Sequence, residues 1–189
     1  ALEALEAHPA SVVGLWPDTT IAYVNPAWLR FAHANGGREP IESNFGLGGN
    51  YLDAISPTLR PFYAILLEAA PTAEESLHPP VHEYECSSAA EYRRFAMHVY
   101  ALPGRAGWLV VNSLLVEHTH DPATHAPHEP VLSEYLHNAL VTQCAHCRRI
   151  RHVADPLRWD WVPDWVTRPM DCVSHGMCPT CYHHYQSTE

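Results

Sequence analysis

The chain has 189 residues, 47% of them hydrophobic, which excludes wholesale disorder and fits one domain plus a small appendage. Its 11 basic residues, all arginine, stand against 21 acidic ones for a net charge of -10, which excludes gripping a phosphate backbone by bulk electrostatics. Residues 1–129 carry 6 arginines and 15 acidic groups, whereas residues 130–189 carry 5 and 6, so nucleic acid is disfavoured most strongly for the first two thirds. No run of roughly 18 apolar residues is present, and no membrane span is expected. Ala1–Pro9 lacks the basic region and apolar core of a signal peptide, so the expected location is cytoplasmic. It reads as a short amphipathic helix with Leu2 and Leu5 on one side.

Taken in order, Ser11–Trp16 and Ile21–Val24 flank a Pro17-Asp18 turn and predict a β-hairpin. Asn25-Pro26 then opens a helix over Ala27–Ala34, closed by Asn35-Gly36-Gly37. Arg38–Asn50 is glycine-rich and reads as loop, and Tyr51–Ile55 as a helical turn. Arg60–Ala70 places Phe62, Ile65, Leu66 and Ala69 at helical spacing before Pro71. Three extended segments follow, Val81–Cys86, Tyr92–Leu102 and Gly107–Glu117, the last two joined through Pro103-Gly104. This order predicts an α+β domain, an antiparallel sheet with helices across one face.

Residues 118–130 hold three prolines without apolar periodicity and read as a Pro/His-rich linker between domains. Beyond it, Leu132, Leu136 and Leu140 stand four apart and predict a helix over 131–141. The remaining stretch carries five of the six cysteines and is too short to build much core without a staple.

The stretches V-V-G-L-W-P-D-T-T-I-A-Y-V-N-P-A-W-L-R-F-A (Val12–Ala32), G-N-Y-L-D (Gly49–Asp53) and E-Y-E-C-S-S-A-A-E-Y-R-R-F-A-M-H-V-Y-A-L-P-G (Glu83–Gly104) resemble a PAS domain of the bacterial sensory type. The resemblance covers most of residues 10–118. It implies a five-stranded antiparallel sheet with helices on one face, signal reception rather than turnover, and in many members a cavity for a flavin, haem or metabolite. It also implies a homodimer, formed here through the helix in residues 1–9. A covalent flavin of the asparagine-cysteine type is excluded, since no cysteine precedes Cys86. Trp16, Trp28, Phe62, Phe95, Met97 and Trp108 are expected to face the core and are the candidates for lining such a cavity. His33, His78, His82 and His98 read as surface or linker histidines, and Cys86 as a buried, inert thiol.

Cys144-Ala145-His146-Cys147 and Cys178-Pro179-Thr180-Cys181 are two C-x2-C knuckles separated by thirty residues. Each knuckle turns two thiolates toward one point, and four thiolates suit a closed tetrahedral zinc site. Disulfides and an iron or iron–sulfur centre are the alternatives that the spacing leaves open. Cys172 lies off the knuckle spacing and reads as a spare thiol. C-A-H-C-R-R-I-R (Cys144–Arg151), a tryptophan at Trp159 or Trp161, and S-H-G-M-C-P-T-C-Y (Ser174–Tyr182) resemble a cysteine module found at the end of bacterial PAS proteins and response regulators. Here His152–Asp160 contains A-D-P-L, a departure from the charged spacer of that module.

No nucleophile elbow, phosphate loop or H-E-x-x-H site marks an enzyme, and zinc held by four cysteines has no open position for catalysis. The expected protein is therefore a sensor: residues 1–9 a helix in a dimer contact, 10–118 PAS-like, 119–130 linker, 131–189 a helix plus zinc module. It would bind a small molecule and signal to a protein partner. The alternatives are a ligand-free interaction or transcription-associated adaptor and an enzyme using the PAS-like cavity.

Overall fold

The computed structural model describes residues 2–35, 45–72, 74–76, 78–168 and 170–186. The Gly36-Gly37 helix end and most of the Arg38–Asn50 loop lie outside the described residues. The chain divides into two compact units, one of Ala1–Tyr84 with Phe95–Leu115 and one of Glu85–Arg94 with Val116–Glu189. Among the described residues no helix is long and apolar enough to cross a membrane.

Helix α1 (Leu2–Glu6) precedes strands β1 (Ser11–Leu15) and β2 (Ile21–Val24), which pair antiparallel. Helix α2 (Pro26–Ala34) begins where proline pre-sets the first helical turn. Its N-cap is Asn25, whose Oδ1 accepts from the Trp28 and Val12 N–H groups, each at 3.0 Å. The same amide donates through Nδ2 to the carbonyls of Leu5, His8 and Ala10 at 3.3, 3.2 and 2.9 Å. Asn25 is wholly buried and fully used, fixing where α1 ends, β1 starts and α2 starts.

A 3-10 turn at Tyr51–Ala54 is capped by Asn50, and α3 (Arg60–Ala69) turns Tyr63 and Leu67 into the core before Pro71 stops it. Strands β3 (Val81–Glu85), β4 (Glu91–Ala101) and β5 (Trp108–Thr119) complete a five-stranded sheet in the order β2-β1-β5-β4-β3. The fold is α+β with PAS-like topology, as the sequence predicts. Its core holds Val12, Val13, Leu15, Phe95, Met97, Val99 and Val110, all buried. Gly107 follows the β4–β5 turn with φ +145°, and a Cβ there would lie 2.0 Å from the Leu15 carbonyl oxygen. Only glycine lets β5 approach β1 so closely.

The helix expected over 131–141 is one turn, α4 (Leu132–Tyr135), followed by β6 (Leu136–His137) and β7 (Leu140–Cys144). Asn138 and Ala139 between them have φ 50° and 62°, a two-residue hairpin turn that pairs His137 with Leu140. Strands β8 (Ile150–Arg151), β9 (Trp159–Asp160) and β10 (Val173–Gly176) extend this second sheet in the order β10-β7-β8-β9. Helices α5 (Pro163–Thr167) and α6 (Pro179–Gln186) complete the unit. Tyr135, Val141, Ile150 and Val162 form its apolar core, with Trp165 and Met170 packed against them. The stretch expected as a linker is held to this unit: His125 is buried, and the His128 N–H donates to the Trp161 carbonyl at 2.8 Å.

Candidate metal centre

The two knuckles meet because β10 runs parallel to β7, setting Gly176 opposite Cys144. Cys144 ends β7. The Arg149 carbonyl accepts from its N–H at 2.7 Å, and Arg148 takes φ 62°, so the chain turns back at once and carries Cys147 toward Cys144. The Ala145 N–H donates to the Gly176 carbonyl at 2.8 Å, which brings Cys178 to the same point, and the first turn of α6 adds Cys181.

All four sulfurs lie within 4.8 Å of one another and all four residues are buried. The Cys147 and Cys178 sulfurs are 3.8 Å apart. Tetrahedral zinc with Zn–S bonds of about 2.3 Å requires sulfur separations of about 3.8 Å. The six cysteines are free thiols, and the four clustered sulfurs are positioned to hold one metal ion. Backbone N–H groups of Cys178 and Cys181 donate to the sulfurs of Cys144 and Cys178 at 3.4 and 3.5 Å, and the Arg149 guanidinium reaches Cys147 Sγ at 4.0 Å. These donors favour thiolates. Hydrogen bonds from Cys147, Cys178 and Cys181 pull the Cys144 thiol down, while Cys144 pushes Cys147 and Cys181 up, so the four groups compete for protons. A bound metal ion removes this competition by deprotonating all four. Trp159 and Met177 cover the cluster.

His146, between the two cysteines of the first knuckle, is half-buried and engaged at both ring nitrogens. Its Nε2 accepts from the Glu85 N–H at 3.3 Å, and its Nδ1 pairs with the Tyr185 hydroxyl at 3.0 Å. Because a backbone amide can only donate, Nε2 carries no proton and Nδ1–H faces Tyr185. Burial, the leading cause, pushes His146 down to about 4, so the neutral ring is the ordinary state. This role depends on a residue 61 positions away and is absent from the knuckle motif. Cys172 stands outside the cluster, and its carbonyl accepts from the Val141 N–H at 2.8 Å.

The residues expected to line a cavity in the first unit are placed differently from one another. Phe95 and Met97 are buried, while Trp28, Phe62 and Trp108 are half-buried. Trp16, expected in the core, is 56% exposed because β1 ends at Leu15 and the chain has entered the turn. His82, expected at the surface, is 3% exposed and ringed by Phe62, Tyr63 and Tyr84 at 4.8, 5.8 and 6.1 Å between centroids. The alternation of β3 turns it inward. Leu66, Ala69, Ala70, Pro71, Pro80, His82, Met97 and Val99 enclose a cavity of about 50 Å³. Ligand pockets usually measure about 300–1,000 Å³, so this one is far below the size of a flavin or haem site. Cys86 is half-buried, and desolvation pushes its thiol up, away from reactivity.

No protein-family model and no curated protein matches the chain. Among solved structures it is similar to the PAS domain of an HTR-like protein from Haloarcula marismortui, at 17% identity and a TM-score of 0.37, covering 60% of this chain and 94% of that one. It is also similar to the sensor region of a sensor histidine kinase, at 16% identity and a TM-score of 0.34, covering 55% of this chain and 38% of that one. Both likenesses are distant, and the strand order itself carries the PAS-like description of the sheet.

Proposed function

We propose that this chain is a cytoplasmic sensory or regulatory protein, not an enzyme, that binds a small ligand or cofactor, signals through protein contacts, and has its second unit stapled by one structural zinc ion. The observation that carries the reading is the buried four-sulfur cluster with backbone donors and a covering tryptophan. Four thiolates close the coordination shell, so zinc there holds β7, β10 and α6 together and leaves no position for substrate. A reducing compartment keeps such thiols available. The exposure of Leu2 on α1 supports a homodimer contact there.

The cavity of about 50 Å³ favours a second reading, in which the PAS-like unit is a contact surface without a small-molecule ligand. The two readings separate on one preparation. Denaturing the purified chain and analysing the released small molecules by mass spectrometry yields a stoichiometric compound for the sensor and none for the adaptor. Sedimentation of the wild type and Leu2→Glu tests the contact: a dimer that becomes a monomer supports it, and a monomeric wild type removes it.

A further inference from the structure

The second unit contains a cavity of about 150 Å³ lined by Tyr135, His137, Thr142, Arg151, His152, Val153 and Pro156. Its walls come from α4 with the β6–β7 hairpin and from the chain leaving β8. The Val153 N–H donates to the Glu134 carbonyl at 2.8 Å and holds the two walls together. Ile150 faces the core, and the alternation of β8 therefore turns Arg151 to the cavity side.

Arg151, His137 and His152 are the lining side chains with a hydrogen left to donate. The Arg151 guanidinium makes no hydrogen bond or ion pair among the described residues, although the side chain is half-buried. The nearby Arg158, by contrast, donates to Asp160 Oδ1 at 2.9 Å. Each histidine has one nitrogen committed as an acceptor. His137 Nε2 accepts from Asn138 Nδ2 at 3.2 Å, and His152 Nδ1 accepts from the Ala154 N–H at 3.2 Å. The other nitrogen of each neutral ring then carries the proton. No carboxylate lines the cavity: the hydroxyl of Tyr135 donates to buried Asp160, and Asp155 accepts from the Leu157 N–H. An unpaired guanidinium with two imidazole N–H groups and no carboxylate in the lining is matched by an oxyanion, and arginine's planar fork suits both carboxylate and phosphate. The volume admits a small species and excludes a nucleotide.

We propose that this cavity binds a small oxyanion, a carboxylate or inorganic phosphate, through Arg151 with His137 and His152. The test is calorimetric titration of the zinc-loaded full chain with inorganic phosphate and, separately, with acetate, in a buffer containing neither. Saturable binding of either at one per chain is expected, and which of them binds identifies the chemistry as tetrahedral or planar. Arg151→Gln should weaken binding about tenfold or more with zinc content and near-ultraviolet circular dichroism unchanged. Arg151→Lys, which keeps the charge and loses the fork, should recover part of it. Absence of saturable binding of both anions to the wild type, or undiminished binding in a folded Arg151→Gln chain, overturns the proposal.

Discussion

His146 Nε2 accepts the backbone N–H of Glu85 at 3.3 Å, so a ring inside the first cysteine knuckle completes the hydrogen bonding of the strand end at β3. His146→Phe keeps the ring contacts to His184 and Tyr185 and removes the acceptor. The orphaned amide costs about 1–3 kcal/mol. Hydrogen exchange at Glu85 should quicken while zinc content holds, and unchanged exchange would show that the bond does not matter in solution.

Asn25 makes five side-chain hydrogen bonds from a wholly buried position. Asn25→Ala leaves the Val12 amide and three carbonyls without that partner and removes the cap of α2. A loss of about 3 kcal/mol or more is expected in urea unfolding of the full chain. A loss under about 1 kcal/mol would mean that water replaces the amide without penalty.

Gly107→Ala places a methyl group 2.0 Å from the Leu15 carbonyl at φ +145°. Backbone on both sides must move, and destabilisation of about 2 kcal/mol or more is expected by the same urea assay. Ala substitution at Gly104, which has nothing within 4 Å but φ +64°, should cost less.

His125 is buried against His120 and Trp161, with ring centroids 4.7 and 5.5 Å away. Burial, then the charge of Arg149 and the rings of His120 and His118, push it down to about 4 against the opposing pull of Asp121. The folded chain therefore favours the neutral ring. Its contribution to stability is full above pH 6.5 and is lost as pH falls from 6.5 toward 4. His125→Phe should flatten the decline in melting temperature over that range relative to the wild type. Parallel declines in the two proteins would show that His125 does not titrate there.

Much of the first unit was legible in the sequence because local signals agree there. Asn25-Pro26 starts a helix, Pro71 ends one, and Phe95, Met97 and Val99 alternate. The four sulfurs were legible because a C-x2-C knuckle carries its own geometry. The helix over 131–141 was not, since leucines four apart satisfy a hairpin as well as a helix. Pairing of Val141 with Leu136 on one side and Val173 on the other decides for strand. Glycine 107's role, the inward turn of His82 and the partners of His146 depend on residues distant in the chain. Local pattern carries no trace of them.

A closed zinc site of Cys144, Cys147, Cys178 and Cys181 is open to elemental analysis of the untagged, unchelated full chain by plasma mass spectrometry. About one zinc per chain with negligible iron is expected for a closed structural shell of four thiolates. Iron at about one per chain or more, or a folded chain free of metal, would contradict it.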